Sequence, residues 1–174
     1  MAAAARPGAG DVKLKRLFKH LSTGHLAVRR VLPPHSIRTI ERAIRESEST
    51  HGGQIRFAVE PALSIAALLH GQSPRQRAID VFSQLKIWDT EHNNGVLIYV
   101  LLADRDVEIV ADRGIHARLG NAGWESICRE MEQAFRQGRF EEGVVAGIKA
   151  VGNHLRQHYP SKQPNELPDK PVML

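Results

Sequence analysis

Asn94-Gly95-Val96-Leu97-Ile98-Tyr99-Val100-Leu101-Leu102-Ala103-Asp104-Arg105-Asp106-Val107-Glu108-Ile109-Val110-Ala111 is the stretch that decides the fold. Val96 to Leu102 is apolar throughout, the pattern of a central strand covered on both faces. Asp104-Arg105-Asp106 turns the chain, and Val107 to Ala111 returns, which makes a hairpin. A central strand needs a second neighbour. Upstream, Gln54 to Glu60 alternates, with Ile55, Phe57 and Val59 on one face, and reads as that strand. Between the two lies Ser73-Pro74 with Gln76: a serine cap, a proline at the first helical position and a partial capping box. The helix it starts turns Ala78, Val81, Phe82 and Leu85 inward and runs to about Trp88. Strand, helix, strand is a crossover, so 54–60 and 96–102 are expected parallel, with the returning strand antiparallel.

Helices flank this unit on both sides. Ile37, Ile40, Ala43 and Ile44 make a helical stripe over about 35–49, opened by Pro33-Pro34 and stopped by Gly52-Gly53. Glu41 and Arg45 are spaced for an i,i+4 pair. Downstream, Trp124, Ile127, Cys128, Met131 and Phe135 mark a helix from near Asn121 to Gly138. A last helix, 141–158, presents Val144, Ile148, Val151 and Leu155, with Gly143, Gly147 and Gly152 permitting close approach of a neighbour. The expected fold is a three-layer α/β/α sandwich with a small mixed sheet, spanning 33–159. The tail, 160–174, carries four prolines (Pro160, Pro164, Pro168 and Pro171) and reads as an extended strap or a loose end.

Before this body, residues 1–10 read as a disordered lead and 11–32 as a basic amphipathic arm. Leu14, Leu17, Phe18 and Leu21 form one helical stripe; Lys13, Lys15, Arg16 and Lys19 lie outside it. Two readings stand. The four cations contact an anionic membrane surface or an acidic partner, or the helix packs on the domain with its lysines solvated. Residues 1–35 hold seven basic residues against Asp11 alone, a net +6, while 36–174 hold 17 basic and 18 acidic residues. The pI near 9.7 therefore describes the arm.

Composition narrows the function classes. With 42% hydrophobic and 25% charged residues, collagen-like and wholly disordered chains are excluded. A neutral body argues against a nucleic-acid surface, and 5% aromatics against a base-stacking platform. Cys128 is the only cysteine, which rules out an intramolecular disulfide and a multi-thiolate zinc site. The longest apolar run, Val96 to Ala103, is far below the ~20 residues of a spanning helix. No secretory h-region follows the start. A cytoplasmic location, peripheral at the inner face of the membrane, is the expectation.

Asn94-Gly95-Val96-Leu97-Ile98, the hairpin through Arg105 with Val107 and Ile109, Gly114-Ile115, and Phe140-Glu141-Glu142-Gly143 together resemble the TPM domain family, from about Ser36 to His158. That family includes thylakoid proteins of photosystem II maintenance, a nematode receptor-associated membrane protein and many bacterial proteins. The resemblance implies the same α/β/α sandwich, with acid phosphatases and calcium binders among its members. It also shows departures. The family's Thr-Gly-x-Gly, Leu-Glu and Leu-Thr-Asp correspond here to Ala111-Asp112-Arg113-Gly114, Ile115-His116 and Leu119-Gly120-Asn121. Two acids have become His116 and Asn121, and Asp112 replaces a glycine. The tail Asn165-Glu166-Leu167-Pro168-Asp169 is similar to a short, soluble proteobacterial-type branch.

A hard cation such as calcium needs about six to eight oxygens. Asp89, Glu91 and Asn94 precede the central strand, and Asp112 follows the return strand at the same edge, so these four could converge on a metal. The alternative is that Asp89 and the asparagines cap and turn the chain while Asp112 makes a salt bridge to an arginine. His154 and His158 are spaced i,i+4, but two ligands do not define a site. Cys128 sits on an apolar stripe and reads as a small core residue. The expected function is a non-catalytic interaction domain, at a membrane surface or in a protein complex with a maintenance or assembly role. The alternative is a metal-dependent, calcium-associated acid phosphatase.

Overall fold

A computed structural model describes residues 9–174, with side chains from Leu14 onward. Of the lead read at 1–10, residues 1–8 lie outside the described residues, as does the Lys13 side chain, while Ala9 and Gly10 already belong to the first helix. The elements are α1 (Ala9–Ser22), α2 (His25–Val31), α3 (Pro34–Glu48), β1 (Gln54–Glu60), α4 (Ile65–Leu69), α5 (Pro74–Gln84), β2 (Gly95–Leu101), β3 (Asp106–Ala111), α6 (Arg113–Arg136), α7 (Phe140–His158) and β4 (Val172–Met173).

The sheet runs β3-β2-β1-β4. β1 and β2 pair in parallel from Gln54↔Gly95 to Glu60↔Leu101, and β3 returns antiparallel with Ile98 opposite Ile109. Every residue of β2 is buried, as its unbroken apolar run demands. Ile55, Phe57, Val59, Val96, Ile98 and Val100 face one layer, built from α2, α3, α6 and α7. Ala58, Leu97, Tyr99 and Leu101 face the other, where α5 packs. Gly95 allows that second packing: a Cβ there would run into the Ile87 carbonyl oxygen.

Caps fix the element ends. Ser73 and Gln76 form the full capping box that starts α5, and the Glu41–Arg45 pair is present at 2.9 Å. α5 ends earlier than expected because Lys86 takes a left-handed backbone, φ 52°. α6 begins at Arg113 and not near Asn121. Asp112 caps it, its side chain accepting from the Arg113 N–H at 2.7 Å, and Gly120 at φ 70° then breaks the axis. α2 and the short α4 had no strong periodic signal; α2 sends Val28 and Leu32 into the main core.

The tail is a strap along β1. Gln54 Oε1 accepts from Glu166 N (2.9 Å) and Leu167 N (3.1 Å). The Arg56 guanidinium donates to the Pro168 and Lys170 carbonyls. Leu167 is buried in the α5 layer, Asp169 pairs with Arg45 at 3.2 Å, and Val172 pairs with Ala58 as an edge strand. Gln54 and Arg56 are thereby buried, although they occupy the polar face of an alternating strand.

Candidate functional site

Two regions gather the residues singled out from sequence. The first is the sheet edge where β2 begins and β3 ends. Asn94 is fully buried. Its Nδ2 donates to the Gly52 carbonyl at 2.9 Å and its backbone N–H to Thr90 Oγ1 at 3.1 Å. Asp112 lies beside it across the ladder, its N–H donating to Gly95 O at 2.8 Å. Each carries one buried oxygen without a hydrogen-bond partner, Asn94 Oδ1 and Asp112 Oδ2. Backbone crowds this edge. A Cβ on Gly114 would meet the Asn93 carbonyl and the Tyr159 hydroxyl. Asp89 and Glu91 are exposed on the preceding loop; their backbone N–H groups donate to the Lys86 carbonyl at 3.0 Å and to Glu166 at 3.1 Å. The backbone thus brings Asn94 and Asp112 to one edge of the sheet, while Asp89 and Glu91 face water.

The second region is α1. It is held to the body by polar side chains. Arg16 donates to Asp104 Oδ2 through Nε (3.0 Å) and Nη2 (2.9 Å). His20, 4% exposed, accepts from Leu63 N–H at Nδ1 (2.9 Å). That leaves Nε2–H to donate to Asp104 Oδ1 at 3.1 Å, which fixes the tautomer. With the polar side docked, the apolar side faces out: Leu14 is 54% exposed, Phe18 64% and Leu21 58%, and Leu26 of α2 is 79% exposed. Lys15 and Lys19 are exposed beside them, while Arg16 is spent on Asp104. An amphipathic helix normally buries its apolar stripe; this one half-buries Leu17 and presents the other three. The docking role of His20 was not visible in the sequence, because its partners Leu63 and Asp104 are distant in the chain.

The profile of the TPM domain matches residues 28–154. The chain belongs to the TPM domain family. The solved structure of the BA42 protein from the psychrophilic bacterium Bizionia argentinensis is 32% identical, with a TM-score of 0.71, over 82% of this chain and 95% of that one. The N-terminal domain of a P. gingivalis protein shares the fold at 20% identity and a TM-score of 0.60, over 78% of this chain and 83% of that one. No curated protein gives a significant match.

Within this TPM domain, a cavity of about 450 Å³ lies between α5, β3 and α6. His116 and Asn121 share it with Arg75, Glu108, Trp124 and Cys128. Arg75 donates to the Ile109 carbonyl at 2.6 Å and pairs with Glu108 at 3.3 Å, so a fixed cation stands in the wall. Burial pushes the Cys128 thiol up to about 12, which keeps it from acting as a thiolate. His154 packs edge-on to Trp124, ring centroids 6.5 Å apart, and burial lowers its pKa.

Calcium would have to be held at the β2–β3 edge. The two buried, unpartnered oxygens there are one carboxylate and one amide, short of the six to eight that the ion requires. Among the described residues no group of three or more His, Cys, Asp or Glu is placed to hold a metal. The donor set at this edge does not fit a calcium ion. Among the described residues, no helix is long and apolar enough to cross a membrane.

Proposed function

We propose that this TPM domain is a non-catalytic interaction module that docks on an anionic membrane surface through α1. The observation that carries this reading is the inverted helix: α1 is fastened by Arg16 and His20, and its apolar residues Leu14, Phe18 and Leu21 point away from the body. Exposed apolar ridges bordered by lysines suit the interface of an anionic bilayer, where acyl contact and charge attraction act together. The N-terminal region supplies the charge; the rest of the chain is close to neutral.

Co-sedimentation with phosphatidylglycerol-containing vesicles tests it. The intact chain should pellet at low salt and less at high salt, because attraction between exposed charges is screened. Phe18→Ser with Leu21→Ser should leave the fold intact and abolish pelleting. Equal pelleting of that variant would refute the reading.

The competing reading, a calcium-associated acid phosphatase, draws on the unpartnered Asn94 Oδ1 and Asp112 Oδ2. It requires hydrolysis of an aryl phosphate that depends on calcium and is lost in Asp112→Asn. The interaction reading predicts no such turnover.

A further inference from the structure

Between α1, α2 and the β2–β3 turn lies a cavity of about 580 Å³, with Lys19, Ser22, Arg30, Leu102, Arg105 and Phe140 in its walls. Its charge balance is one-sided. Among the described residues, Lys19, Arg30 and Arg105 have no acidic partner, whereas most arginines of the body are paired. The single acid in the wall is Asp104, and both its oxygens are occupied, Oδ2 by Arg16 and Oδ1 by His20. Arg105 stands at the turn with a left-handed backbone, φ 53°, which a non-glycine residue adopts seldom. Three uncompensated cations, two of them guanidinium forks, match a compact anion with several oxygens.

The rest of the cavity says what carries that anion. Ala27, Val31, Leu102 and Phe140 give it apolar wall, which suits carbon next to the anion. Lys19 sits one residue, about 100°, around α1 from Phe18. A helix lying with Phe18 in acyl chains therefore turns this flank toward headgroup level. We propose that the cavity is a headgroup site taking the phosphate of an anionic phospholipid. It rests on the membrane reading above, and its test separates the two.

The intact chain is titrated with phosphatidylcholine vesicles carrying either phosphatidic acid or, at matched surface charge, oleate. Binding should be about tenfold tighter to phosphatidic acid. Arg30→Gln with Arg105→Gln should erase that preference. Lys86→Gln with Arg118→Gln, the same charge loss at the opposite edge of the sheet, should keep it. Equal binding to both lipids, or a preference that survives the cavity substitutions, overturns the proposal and leaves only general electrostatic attraction. Saturation of the cavity by inorganic phosphate, with no lipid preference, also overturns it in favour of a free-anion site. If no vesicle binds at all, the membrane reading fails. Short-chain phosphatidic acid below its micellar concentration then decides the cavity alone: amide shifts confined to Ser22–Thr23 and Leu102–Arg105 support it, and none there ends it.

Discussion

Glu48 is a carboxyl buried at the end of α3. Its Oε1 accepts from the Ile55 N–H at 2.6 Å, while Oε2 has no partner. Burial, with the Asp169 carboxylate nearby, pushes its pKa up to about 8; the Ile55 N–H and Arg56 act the other way. The native chain thus holds a proton here that the unfolded chain, near 4.5, releases earlier. Stability from this group is present at acid pH and declines as pH rises from 4.5 to about 8, with a slope of up to about 1 kcal/mol per pH unit. Glu48→Gln, which can still accept from Ile55, should flatten that slope in denaturant titrations at a series of pH values. A slope unchanged in the variant would show that the proton sits elsewhere. Nothing in the sequence marked Glu48, since the burial that shifts it, and the Asp169 carboxylate beside it, arise only from tertiary packing. Asn94 was singled out from sequence as a candidate ligand before the central strand, but its full burial on the Gly52 carbonyl depends on a residue 42 positions away and was not legible.

At the scale of elements, α1 is pinned by a few polar contacts and contributes little apolar burial, so its opening should be independent of the core. His20→Ala removes the acceptor for Leu63 N–H and the donor to Asp104. Amide exchange in α1 should speed up by about tenfold or more, for the loss of one or two buried hydrogen bonds, while β1 and β2 amides keep their protection. Uniform loss across both would mean that α1 is part of the cooperative core. Three of the four strands were legible, because β2 is apolar at every position and the crossover forces its parallel partner; the edge strand β4 was not. The start of α6 was not, because Gly120 interrupts the periodic pattern and only the Asp112 cap marks the earlier turns. The strap was half legible: four prolines foretold an extended tail, but its seating depends on Gln54 and Arg56, whose alternation alone read as a solvent face. The amphipathic period of α1 was plain, yet period does not say which side docks.

For the whole molecule, exposed charge and exposed apolar side chains coincide on α1 and α2. Lys15, Lys19, Arg29 and Arg30 are exposed on the same two helices as Leu14, Phe18, Leu21 and Leu26. The Asp112 edge lies at the other end of the strands, so a docked domain would leave it accessible. Methyl NMR with anionic bicelles doped with spin-labelled lipid tests this orientation most directly. The methyls of Leu14, Leu21 and Leu26 should broaden first and most, with Leu97 and Leu101 sharp. Broadening centred on another face, or none at any leucine, would contradict membrane docking through α1.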